Sequence, residues 1–112
     1  LMGSALIGMM KALDGVNFRN PKIPVIANCT GKPLNAGQEV KDELMQQLCG
    51  CVRWQDSVSY MVDKGVNTFI EFGAGQVLAG MVKRICKSVE VTGASDVTSV
   101  EVLANTHSYL FT

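Results

Sequence analysis

The stretch VNTFIEFGAGQVLAGMVKRIC, residues 66–86, confines the fold more than any other part of the chain. Val66 to Phe72 has the length and the β-branched and aromatic content of a buried strand, and Gly73-Ala74-Gly75 then turns the backbone. Val77, Leu78, Met81, Val82 and Ile85 follow at helical spacing, so a helix is expected from about Gln76 to Cys86. A buried strand that passes through a tight turn into an amphipathic helix is the packing unit of an α/β domain.

The other segments continue the alternation. Leu1 to Leu13 places Met2, Leu6, Met9, Met10 and Leu13 on one helical stripe, which Asp14-Gly15 ends. No capping residue precedes that stripe, so the sequence reads as a piece of a longer chain that opens inside an element. Pro21 and Pro24 bracket a loop, Ile23 to Ala27 is an apolar run of the kind found in parallel strands covered on both faces, and Asn28 to Gly31 is a turn. Gln38 to Leu48 is expected to be helical with Val40, Leu44 and Leu48 in register; residues 52–65, VRWQDSVSYMVDKG, carry Trp54, Val58, Met61 and Val62 on the apolar side of the next helix. Val89 to Thr92 predicts a third strand, and Ser95-Asp96 can cap a last helix, Val97 to Ala104, whose stripe is Val97, Val100 and Leu103 or Ala104. The fold expected from these patterns is α/β, a short and mostly parallel sheet with packing helices over residues 1–105, followed by a loosely ordered tail at 106–112.

Composition narrows the partners. Ten basic and ten acidic residues leave no net charge, and the only dense basic cluster is Lys83-Arg84 with Lys87, so nucleic acid is not an expected partner. Charged residues interrupt every apolar run well short of the roughly 18 residues that a membrane-spanning helix needs, and no membrane is expected. Cys29, Cys49, Cys51 and Cys86 lie in or beside apolar segments, as buried thiols of a reducing compartment do. Cys49-Gly50-Cys51 has no second pair and only the distant His107 to complete a ligand set, so neither a metal nor another cofactor is expected.

The glycine turn admits two readings. A helix N-terminus after a strand offers free N–H groups and a partial positive charge to a phosphate, which would make Gly73–Gly75 a nucleotide loop with Glu90 near the place of a ribose-binding acid. The dinucleotide fingerprint, however, needs a third glycine where Leu78 stands, and no Gly-Lys-Ser/Thr follows for a P-loop. The other reading makes the turn a packing corner in which glycines permit the bend and the apolar stripe buries the helix.

Several separated segments, IPVIANCTG, QQLCGCVRW and SVSYMVDKGVNTFIEFGAGQVLAGMVKRI, together with the leading Leu1-Met2, resemble the C-terminal portion of malonyl-CoA:acyl carrier protein transacylases from Leu1 to about Leu103. Gln47-Leu48 ahead of Val52-Arg53-Trp54, and then GxGxVLxGxxKRI, look more like the discrete fatty-acid synthesis enzyme than the modules of polyketide synthases. The resemblance implies the C-terminal part of the hydrolase-like large subdomain of an acyltransferase as the fold, malonyl-CoA and acyl carrier protein as partners, a complete enzyme that is monomeric, and covalent acyl transfer through a serine activated by a histidine, with an arginine on the malonyl carboxylate. Its compartment would be the cytoplasm in a bacterium, or a plastid or mitochondrion in a eukaryote.

Few functional positions carry over. No G-x-S-x-G elbow occurs in the 112 residues, and Ser4, Ser57, Ser59 and Ser88 lie on helices or helix ends. The family histidine stands just ahead of the Leu-Met that opens this sequence, its arginine is expected upstream, and Arg53 and Arg84 read as solvated. His107 falls in the tail. Gln47 matches the glutamine whose carbonyl accepts the N–H of the catalytic histidine, unless it is an ordinary polar residue near a helix end. Asn28 matches a recurrent family asparagine beside the pocket, and turn formation explains it equally well. Ala74, Ser4 and Cys51 stand where the family usually has proline, a change of local stiffness. A packing or interaction module of the same fold, without catalysis, is the remaining alternative.

Overall fold

The computed structural model describes residues 2–48, 50 and 52–106, and the chain divides into two compact units, Leu1–Tyr60 and Met61–Thr112. In the first unit, helix α1 (Met2–Asp14) packs on helix α2 (Gly37–Gln46), with Leu13 buried and Lys41 Nζ 3.5 Å from the Asp14 carboxylate. Met10, assigned to the buried stripe from its spacing, is 49% exposed. Between the helices, β1 (Val25–Ile26) pairs antiparallel with β2 (Pro33–Leu34). The apolar run around Pro24 is therefore not a parallel strand covered on both faces. Ile23 is 77% exposed, and the chain folds back at once through Ala27 N–H to Lys32 O (2.8 Å) and Gly31 N–H to Ala27 O (2.8 Å). Gly31, at φ +70°, supplies the left-handed residue that this turn requires.

The start of α2 is capped from a distance. Ala36, the residue before the helix, has no side-chain oxygen; Asn20 Oδ1 instead accepts the Gly37 N–H at 2.9 Å, and Glu39 Oε1 reaches back to the N–H groups of Ala36 (3.0 Å) and Asn35 (3.2 Å). Helix α3 (Trp54–Asp63) begins in the first unit and runs through the point of division. Its Val58 is fully buried, and side chains of this kind contribute about 1.5–3 kcal/mol each when removed from water.

The second unit is a βαβα layer. Strands β3 (Thr68–Phe72) and β4 (Glu90–Ala94) pair parallel, from Thr68 opposite Glu90 to Phe72 opposite Ala94, and α4 (Val77–Ile85) makes the crossover. Val82 of α4, Val89, Ala94 and Leu103 of α5 (Val97–Thr106) form its core. Lys83 Nζ reaches over to Val89 O at 2.5 Å, tying the end of α4 to the start of β4. Of the stripe expected on α5, only Leu103 is buried; Val97 is 74% exposed and Val100 38%. The loosely ordered tail expected at 106–112 meets the described residues only at Thr106, which is instead the last residue of α5; residues 107–112 lie outside them.

Asp96 caps α5 as its sequence position suggested. Its Oδ1 accepts both the Ser99 N–H and the Ser99 hydroxyl at 2.7 Å, and these bonds hold its carboxyl below the usual aspartate value. Because the folded value is depressed, the cap contributes above the unfolded value of about 4 and is lost as pH falls through the folded one. The Ser99 amide resonance should accordingly move as acid is added below about pH 4, whereas in D96A that movement should be absent.

Candidate active site

Two short segments of the first unit carry the residues singled out from sequence. The turn after β1 presents Asn28, half-buried, whose carbonyl accepts the Arg53 N–H at 2.6 Å just before α3. The end of α2 presents Gln47, which continues the helical backbone at φ −60° and ψ −24° and donates its N–H to Glu43 O at 3.0 Å. The structure brings these segments together. Cys29 N–H donates to Glu43 Oε1 at 3.0 Å, and a Cβ placed on Gly50 would meet Cys29 Sγ and Gln46 O, each at 2.9 Å. Gly31 is as tightly held against α3, with Asp56 Cβ 2.7 Å from where its own Cβ would be.

Residues 40, 43, 44 and 47 share one face of α2 by the i, i+3, i+4, i+7 rule. Glu43 is buried on that face, and Gln47, one turn further on, is exposed. A primary amide there can present its carbonyl as a neutral acceptor, which orients an N–H donor without adding charge. Glu43 was missed from sequence. The available signal was a carboxylate on the same face as Val40 and Leu44, where the pattern calls for an apolar side chain.

The glycine corner in the second unit is differently arranged. Gly73 and Gly75 adopt φ +117° and +86°, so the turn needs both glycines. The first turn of α4 already has an anion: Glu71 Oε1, from β3, accepts the Ala79 N–H at 3.0 Å. A carboxylate of the chain thus occupies the position that a phosphate would take, which favours the packing reading of Gly73–Gly75 over the nucleotide reading.

The remaining candidates are dispersed. Arg53 is solvated, 3.6 Å from Asp56, and Arg84 is exposed. Cys86 Sγ lies 3.2 Å from Ser88 Oγ, and that bond, with backbone donors and Lys83, holds its thiol below the usual value. Among the described residues no group of three His, Cys, Asp or Glu side chains could hold a metal ion. Cys49, Cys51 and His107 lie outside those residues. A groove of about 470 Å³ runs between β4 and α5, lined by Thr92, Gly93, Asp96, Ser99, Val102 and Leu103, and none of the candidate residues borders it.

The malonyl-CoA:acyl carrier protein transacylase of Bacillus subtilis (strain 168) is 31% identical over 106 residues, 95% of this chain and 33% of its own length. The crystal structure of acyl-carrier-protein-S-malonyltransferase from Bartonella henselae superposes with a TM-score of 0.81 at 32% identity, over 91% of this chain and 32% of that one. Over nearly all its length this chain is homologous to one portion of the malonyl-CoA:acyl carrier protein transacylases. It spans about a third of the length of these transacylases. A third transacylase, PlMCAT, solved in complex with the type II polyketide acyl carrier protein AntF, matches with a TM-score of 0.81 at 28% identity, over 94% of this chain and 34% of its own. No family model matches the chain. The transacylase structures bear out the α/β class expected from sequence; among the described residues it consists of five helices, the parallel pair β3–β4 and the antiparallel pair β1–β2.

Proposed function

We propose that this chain is a wall of the active site of a malonyl-CoA:acyl carrier protein transacylase, with residues 1–105 as its acyltransferase segment. The observation that carries the reading is the joint match of sequence and fold to transacylases over nine-tenths of the chain. In the reaction so assigned, a serine oxygen attacks the malonyl thioester and coenzyme A leaves as the thiol. The resulting acyl-serine is then taken by the phosphopantetheine thiol of the carrier protein. The lack of a G-x-S-x-G elbow supports a nucleophile outside these 112 residues, and the family resemblance puts the histidine and the malonate-binding arginine upstream as well.

Within this scheme Gln47 orients the histidine. Its exposure at the end of α2 leaves the amide carbonyl available to an imidazole N–H from the rest of the enzyme. Being neutral, it holds the ring's tautomer without raising its basicity as a carboxylate would. Asn28 borders the same place on the adjoining turn. The bacterial relatives support a reducing cytoplasm as the compartment, which suits thiols such as Cys86 and Cys29.

Mass spectrometry tests the assignment. The 112-residue chain incubated with malonyl-CoA should acquire no malonyl ester, whereas a polypeptide that also carries the serine elbow and the histidine should acquire one and pass it to holo acyl carrier protein. A stoichiometric serine adduct on the 112-residue chain itself would overturn the reading.

A further inference from the structure

Glu43 is 7% exposed, on a helix face where an apolar side chain would complete the packing of Val40 and Leu44. Burying a carboxylate is costly unless its oxygens find donors, so a residue of this kind marks a bond the structure uses. The donor is the main-chain N–H of Cys29, next to Asn28, at 3.0 Å. The same residue accepts the Gln47 N–H on its carbonyl at 3.0 Å. Glu43 therefore touches one candidate segment with its side chain and the other with its backbone.

We infer that Glu43 is a positioning residue of the proposed transacylation, whose buried carboxylate ties the Asn28–Cys29 turn to the end of α2 and so fixes where the Gln47 carbonyl stands. This rests on the reading given under Proposed function. The neighbouring bonds close the same assembly: Gly50 N–H to Gln46 O at 2.7 Å draws the chain back over the helix end, and Arg53 N–H to Asn28 O holds the far side of the turn. With Gly50 already against Cys29 Sγ and Gln46 O, the turn and the helix end have little freedom to shift separately. Losing the Glu43 tie would let the last turn of α2 move, and with it the acceptor offered to the histidine.

The test is made in the transacylase polypeptide that carries this segment, with E43L and E43Q. E43L keeps the volume and loses the acceptor; E43Q keeps an oxygen for the Cys29 N–H. E43L should lower kcat by roughly ten- to a hundredfold with KM for malonyl-CoA within about twofold of wild type, and E43Q should restore kcat to within about threefold. Hydrogen exchange at the Cys29 amide should be fast in E43L and protected in E43Q. If E43L does not fold, E43Q decides: wild-type kcat with an unprotected Cys29 amide overturns the proposal, as does E43L at wild-type kcat. A wild-type enzyme that forms no malonyl-serine would instead overturn the transacylase reading itself.

Discussion

Replacing Gly37 by alanine is expected to destabilise the chain by about 1–3 kcal/mol, a large part of the stability of a small domain. A Cβ at this buried position would run into the carbonyl oxygen of Phe18, with Phe18 C 2.7 Å and Arg19 C 3.0 Å behind it. All three are backbone atoms, so no side chain can rotate away. The loop they belong to is also held by Asn20, whose carboxamide caps the Gly37 N–H, and moving the loop would break that bond too. Urea denaturation should show a fall in midpoint with an unchanged slope. Gly80→Ala is the control: the nearest atom to its Cβ is the flexible end of Arg84 at 3.9 Å, and alanine within α4 should be neutral or stabilising. A G37A midpoint equal to that of wild type would refute the close approach of loop and helix.

The second large effect is expected at Gln47. If Gln47 orients the histidine as proposed, Gln47→Ala in the complete enzyme should reduce kcat by roughly ten- to a hundredfold while KM for malonyl-CoA changes by less than about twofold, because an orienting acceptor acts on the chemical step. On the same proposal, Gln47→Glu keeps an acceptor and adds a negative charge beside the imidazole. That charge favours the imidazolium and raises the histidine pKa, so the acid limb of the kcat/KM profile should move to higher pH. A Q47A enzyme with wild-type turnover would remove Gln47 from the mechanism.

Much of the second unit was legible in the sequence. β3 and α4 lie within two residues of their expected limits because a buried apolar run, a glycine turn and a helical stripe are each local signals. The first unit was harder. The run Ile23 to Ala27 has the composition of a buried strand, but the bonds that fold it against Pro33–Leu34 depend on the turn at Gly31, and apolar content alone does not report pairing direction. Val97 and Val100 were placed inward on periodicity, yet Leu103 alone meets the core of the second unit. At the candidate site, Gln47 and Asn28 were found through resemblance to a family, and their spatial association through Cys29 and Glu43 lies 14 residues apart in sequence, beyond the reach of any local pattern. Glu43 and Glu71 were both visible as carboxylates among apolar neighbours; their partners were not.

The bond from Glu71 to α4 decides how the glycine corner meets its surroundings. A helix terminus left unneutralised attracts anions from solution and responds to each one that arrives or departs. Here the countercharge is built in and covalently attached, so the start of α4 needs no ion from outside. The corner can serve as a fixed mount whose charge is settled within the chain.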